Sequence, residues 1–364
     1  MSKITKKGWI FFGLLIALSL LLLLIPLFKN QESKSSDPDT KETISENHDH
    51  PDSAQDPFSD GTKASYTTES VTFEKPEVEA LFTVPGTAPV LIDSTDRYLL
   101  FKSFGGYLYY YDLEKQEGKK IAEYVNAASI SDNETYIVYT VRVETAEEES
   151  VHFFNLNDFF DHSVLDIASR SLPVSGIVYH EGGVFYTHGY REETSDSTQY
   201  KIVPKKRDEY LPEEQSYAYF DTSGAFDIHD NRLLVVSPET STISQIQIGA
   251  KNLIPYKDID QSISSPVSLE FNKKGDWFIH DRASDTSALY VNNERADGYT
   301  TITDVHWLTD TLLLVSQEGI LTIYNTETKK SSVLRSDVHE FEVNNKAIYY
   351  VNPSQQAEKM VWEK

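Results

Sequence analysis

Over residues 70–364, short apolar runs rich in Val, Ile, Tyr, Phe and Thr alternate with clusters of Asp, Asn, Gly and Ser, and no long stretch carries apolar positions at helical spacing. Period-two alternation cut by turn formers predicts half-buried β-strands joined by tight turns. The runs recur as a group. Residues 90–121 read VLIDSTDRYLLFKSFGGYLYYYDLEKQEGKKI: strand, polar turn, strand, Gly turn, strand, charged turn, strand. Related groups occupy 128–166, 174–203, 225–256, 267–302 and 305–335, and a last one from Phe341 supplies three strands only.

Four short strands repeating at about forty residues are the signature of blades stacked around an axis. The segments Ser94 to Phe101 (STDRYLLF), Ser131 to Tyr139 (SDNETYIVY) and Gly106 to Asp112 (GYLYYYD) carry a turn–strand pattern that resembles TolB-like and WD-repeat-like propellers. That resemblance implies a fold and no activity, and the WD dipeptide is missing throughout. The expectation is an all-β propeller of seven four-stranded blades, with six or eight left open by the irregular copy around 170–225. An N-terminal strand at 78–83 (VEALFT) would complete the short last copy and remove its free edges. Within Tyr107 to Tyr111, alternation places Tyr107, Tyr109 and Tyr111 on one face and Leu108 and Tyr110 on the other, as packing between blades requires.

Ahead of the repeats the pattern changes twice. Residues 10–28 (IFFGLLIALSLLLLLIPLF), from Ile10 to Phe28, carry no charge. As a helix at ~1.5 Å per residue they would cross a hydrocarbon core of ~30 Å. Lys3, Lys6 and Lys7 precede this run and acidic residues soon dominate after it, which places residues 1–9 in the cytoplasm and the rest outside. The apolar run exceeds a usual signal-peptide core and lacks a small-residue cleavage site after it, so an uncleaved single-pass anchor is expected. Residues 29–69 are rich in Ser, Asp, Glu, Thr and Pro and read as a disordered acidic linker, leaving 70–364 as the propeller domain.

Composition narrows the chemistry. There is no cysteine, which removes disulfides, thiol catalysis and Cys-ligated metal and, for an exported domain, suggests a Gram-positive bacterium. A net charge of −24 argues against nucleic acid as a partner. No G-x-S-x-G, H-E-x-x-H or P-loop occurs, and the Asp258–Asp260 stretch lacks the rest of a calcium loop. His48-Asp49-His50 lies in the linker. His152, His162, His180, His188, His229, His280, His306 and His339 are spread over different repeats, without metal-ligand spacing. No catalytic residue, metal or cofactor is expected.

Functional residues are sought instead where the repeats depart from their own pattern. Two adjacent copies carry long acidic insertions between their second and third strands, residues 142–150 (RVETAEEES) and 189–198 (GYREETSDST). Glu144, Glu147, Glu148, Glu149, Glu192, Glu193 and Asp196 would form a negative patch on one rim, suited to a basic partner. The leading expectation is a membrane-anchored extracytoplasmic binding or scaffold protein that meets a protein or envelope ligand. The rivals are an envelope enzyme with its site in the central funnel and a sensory subunit of a membrane complex. The topology has a direct check. Protease added to wall-stripped cells is expected to digest the protein from about residue 30 onward and spare the membrane segment, whereas a soluble form starting there would show cleavage.

Overall fold

The computed structural model describes residues 55–364, apart from 79–88, 104, 132, 143–148, 168–170, 181–182, 192–195, 205–214, 221–224, 238–239, 247–252 and 284–285. The expected anchor and most of the linker lie outside the described residues. Within them there is no α-helix, and no helix long and apolar enough to cross a membrane. Six antiparallel sheets of four strands follow one another along the chain: blade 1 (89–122), blade 2 (125–167), blade 3 (171–220), blade 4 (226–258), blade 5 (266–296) and blade 6 (302–336).

The first strands of the blades surround the centre of the ring. Pro89–Ser94, Val125–Ile130 and Ser171–His180 are successive neighbours, as are Phe226–His229, Pro266–Phe271, Ile302–Trp307 and Phe341–Val343, the last of which returns to Pro89–Ser94. Blades 3 and 4 pack through Val178, Phe185, Leu233 and Val235. Each sheet buries both faces against its neighbours. In blade 1, Leu99, Phe101 and Tyr111 pack toward Ala347 and Tyr349, while Tyr98, Leu100, Leu108 and Tyr110 pack toward Ile130, Ile137 and Tyr139 of blade 2. The expected alternation is realised as core for Leu108 to Tyr111, with Tyr109 stacked on Phe101 at 5.3 Å, whereas Tyr107 precedes the strand, half-buried under the Lys120 ammonium.

Two-sided burial also explains why the second strands are continuously apolar. Tyr98–Phe101, Leu233–Val236 and Leu312–Val315 are buried at every position. Each such side chain contributes roughly 1.5–3 kcal/mol, so no polar phase is tolerated there. Where a hairpin must turn sharply, glycine serves: Gly106 has φ +78°, and a Cβ there would meet the Tyr124 Cα at 3.3 Å.

The closure differs from expectation in three respects. Six sheets have the regular four strands, so seven equal blades is corrected: the remaining sector is a six-stranded composite built from both ends of the chain. The N-terminal contribution begins earlier than the expected 78–83 segment. It includes the hairpin Ser65–Thr68 and Val71–Glu74, with Thr72 and Phe73 pairing Glu363 and Trp362, and the short strand Glu77–Val78 beside Lys359 and Glu358, in which Val78 of that segment takes part. Residues 79–83 lie outside the described residues.

The linker, finally, ends sooner than composition suggested. Phe58, Val71 and Phe73 are buried in the core shared with blade 6, and Asp56 is 8% exposed. One Asp56 carboxylate oxygen accepts from the Ser336 N–H and hydroxyl at 3.1 Å and from the Arg335 guanidinium at 3.3 Å; the other caps the Phe58 N–H at 2.7 Å. Arg335 in turn donates to Glu358 and to the Tyr350 hydroxyl, and Tyr350 donates to Glu358. The polar, Asp-rich sequence of 55–69 concealed this because its decisive contacts lie far along the chain, as in the 279-residue separation of Asp56 and Arg335.

Removing one member of such a network strands the other charge. Asp56→Ala is expected to destabilise the domain by roughly 2–4 kcal/mol in a urea titration. Asp60→Ala, an exposed position with local bonds only, is expected to change it by less than about 0.5 kcal/mol.

Candidate functional site

An innermost strand pairs within its blade on one side only, so its other edge points amide groups into the channel. Carboxylates from the preceding blade meet them. Asp93 accepts the Ile130 N–H at 2.7 Å, Asp227 the Phe271 N–H at 2.7 Å, Glu270 the Trp307 N–H at 3.3 Å and Asp304 the Phe341 N–H at 3.2 Å. At the sector where the chain ends meet, neutral groups do the same work: Ser94 donates to the Val343 carbonyl at 3.1 Å and Asn344 to the Thr95 carbonyl at 2.9 Å. Charge-assisted bonds to edge amides are about twice as strong as neutral ones, which suits a seam between sheets that share no ladder.

His306 sits among these acids. Its Nδ1 lies 3.2 Å from Glu270 Oε2 and its Nε2 3.3 Å from Asp304 Oδ1, and the ring meets Phe341 edge-on at 5.2 Å. Burial opposes a charge on this imidazole, but Asp304 and Glu270 outweigh it and hold the ring protonated well above the ordinary histidine range. Glu342 faces the same space. Burial, and then the neighbouring Asp93, Asp304 and Glu270, push its carboxyl up to about 8 against the pull of His306. Asp93 is pushed up to about 6, mainly by burial, with the Ile130 N–H and Ser129 opposing. The side chains of His306, Glu270 and Asp304 keep 26–30% of their surface open to the channel, so water tempers these effects.

At the end of the channel where first strands turn into second strands lies a groove of about 880 Å³ between blades 5 and 6 and the composite sheet. Lys273, Lys346, Lys359 and Lys364 line it, with Trp307 and Trp362 among the walls. Both indoles are pinned by their N–H to main-chain carbonyls, Trp307 to Glu270 at 3.1 Å and Trp362 to Asn344 at 3.0 Å. A hollow of about 370 Å³ adjoins it and shares Trp307, Leu308, Asn345 and Trp362.

The acidic residues singled out from the sequence are not gathered into this site. Glu144, Glu147, Glu148, Glu192 and Glu193 lie outside the described residues. Glu149 belongs to the internal framework: it is 5% exposed and accepts from Asn126 at 3.0 Å and from the Val174 N–H of the next blade at 3.1 Å, so its place in a surface patch is corrected. The 189–198 insertion is largely strand, since Gly183–Arg191 and Asp196–Pro204 pair up to Arg191 opposite Asp196. The strand ends beside both insertions lie on the face opposite the groove, as the alternating strand directions require. Among the described residues no group of three His, Asp or Glu is placed to hold a metal ion. His280, for instance, is buried against Ser287 with its pKa lowered by burial to about 4.

Sequence reasoning passed over His306 and its acids. The available signal was titratable residues at alternate positions of apolar inner strands, as in ITDVHW at 302–307, where Val and Ile are otherwise usual.

No protein-family model matches the chain, and no curated protein matches it. Solved structures do. The propeller domain of the trilobed protease from Pyrococcus furiosus aligns at TM-score 0.53 and 11% identity, over 78% of this chain and 95% of that one. The chain is a β-propeller. An oligogalacturonate lyase from Vibrio parahaemolyticus aligns at 0.54 and 12% identity, over 82% and 96%. An acylaminoacyl peptidase from Pyrococcus horikoshii aligns at 0.52 and 10% identity over 76% of this chain and 50% of that one, so the match spans half the length of that enzyme. At such identities the likeness carries the fold alone, and the TolB-like resemblance holds at that level.

Glu342 ties the channel to pH. Its folded pKa lies above the unfolded 4.5, so the folded propeller holds a proton that the unfolded chain releases. The associated stability is complete below about pH 4.5 and is lost as pH rises through about 8; raised His306 adds a loss of the same sign above 6.5. Glu342→Gln keeps a neutral group at every pH. Its urea midpoint is expected to match the parent at pH 5 and to exceed it at pH 8.5 by the equivalent of roughly 1–3 kcal/mol. Identical midpoints at both would show the carboxyl ionised throughout.

Proposed function

We propose that this propeller is the extracytoplasmic part of a membrane-anchored binding or scaffold protein, and that the groove beside the channel mouth is its working surface. The observation that carries the reading is how the polar groups are used. Four of the channel acids each accept an N–H from the next blade and are committed to holding the ring. Among the described residues the four groove lysines make no ion pair, and Trp362, half-buried and pinned by its indole N–H, keeps part of its ring open to a ligand, whereas Trp307 is buried against Phe278 and only backs the groove.

The described chain also enters the ring, at Asp56, beside Ser336 on the end opposite the groove. An anchor placed before it would leave the groove facing away from the entry point. On that entry face the acidic insertions of blades 2 and 3 form a second proposed surface, suited to a basic partner and now without Glu149.

One observation favours an enzyme as the second reading. Glu342 beside a protonated His306 is a carboxylic acid kept neutral near pH 7, a state that general acids require. Propellers among the similar structures include peptidases and a lyase, although the active centres of those proteins are not carried over. Photo-cross-linking in intact cells separates the readings. A cross-linker at exposed Lys346 is expected to trap a discrete envelope partner that one at Lys330, on the outermost strand of blade 6, does not. Trapping from neither position, together with turnover of envelope sugars or peptides that Glu342→Gln abolishes, would favour the enzyme.

A further inference from the structure

The geometry points to an anionic saccharide chain as the ligand of the rim groove, an inference that rests on the binding reading above. The first ground is charge. In a chain of net charge −24, Lys273, Lys346, Lys359 and Lys364 converge on one concave surface without forming an ion pair among the described residues. Three acids also line it, but Glu270 is offset by its contact with protonated His306, which leaves Asp310 and Glu363 against four ammonium groups. The balance is positive within the groove itself, whereas the adjoining hollow carries Asp96 and Glu134 and no basic residue. Lysine acts as a point charge with freely rotating donors, which suits carboxylate or phosphate groups spaced along a flexible chain.

The second ground is the Trp362 indole. It is half-buried, fixed by its N–H bond to the Asn344 carbonyl, and shared by the groove and the adjoining hollow, while Trp307 behind it is buried in the core. A flat rigid ring beside charges fits a ligand with apolar faces and anionic substituents, as the pyranose ring of an acidic sugar has.

The third ground separates saccharide from peptide. A free strand edge is the route by which an extended peptide gains main-chain hydrogen bonds. Here Ala357–Glu363, which brings Trp362 to the groove, is paired on one side by Ala347–Val351 and on the other by Val71–Glu74 and Glu77–Val78. The nearby amides are also engaged: Asn272 donates to the Asp310 carbonyl at 2.8 Å and Asn345 to Asp96 at 3.0 Å. Charges and a ring face are what the groove has to offer.

The test uses the full chain in detergent micelles, titrated with an alginate oligosaccharide, a neutral dextran oligosaccharide and poly-glutamate, read by calorimetry and tryptophan fluorescence. Alginate is expected to bind and to weaken as salt is raised from about 0.05 to about 0.5 M. Lys346→Glu with Lys364→Glu, both exposed, should leave the melting temperature unchanged and cut alginate affinity at least about tenfold, while Lys330→Glu changes it less than about twofold. No alginate binding, equal binding of dextran, or insensitivity to the paired reversal would overturn the proposal. Poly-glutamate binding as tightly as alginate would overturn the saccharide assignment. These failures are distinguishable from failure of the binding reading, because cross-linking from Lys346 in cells reports a partner of any chemistry.

Discussion

A ring of separate sheets leaves its innermost strands with one unpaired edge each, and buried amides on that edge need acceptors. The carboxylates of the preceding blade supply them at Ile130, Phe271, Trp307 and Phe341. This single requirement accounts for acids at alternate positions of otherwise apolar strands. Because these four seams draw on the blade before them, their acids converge on the axis, and the mutual repulsion is relieved by protonating His306 and by keeping Glu342 neutral. The electrostatics of the channel thus follow from a hydrogen-bonding constraint on the backbone.

The same ring must also join its ends. Here the joint is made by a composite sheet, an apolar cluster that includes Phe58, Phe73, Phe341 and Met360, and the Asp56–Arg335–Glu358–Tyr350 network at one face. The apolar part contributes most of the energy, since a buried ion pair recovers little beyond its own desolvation. The network's contribution is register: only one alignment of the entering segment lets Asp56 meet both Ser336 groups and the guanidinium. The joint also sets the polarity of the disc, with the chain entering at one end and the lysine-lined groove at the other.

Much of the fold was legible because it rests on local patterning. Runs such as YLLFKS and LYYYD, separated by turn residues, determined strands, their faces and their grouping into blades, since side-chain direction in a strand depends only on position parity. The cysteine-free composition and the uncharged run at 10–28 likewise belong to sequence alone and support the expected compartment.

What the tertiary structure decided involves partners far apart in the chain. Asp56 reads as linker until Arg335 is beside it, and Glu149 reads as a surface charge until the Val174 amide is found 3.1 Å away. His306 is one histidine among ten until the ring sets Glu270 and Asp304 against its two nitrogens. Lys273, Lys346 and Lys364 are ordinary turn and strand-end lysines and Lys359 an ordinary strand lysine, and their convergence exists only once blades 5 and 6 and the last strand are side by side. Periodicity encodes which way a side chain points within its own strand. What it meets there depends on closure, a contact between residues hundreds of positions apart that no local pattern records.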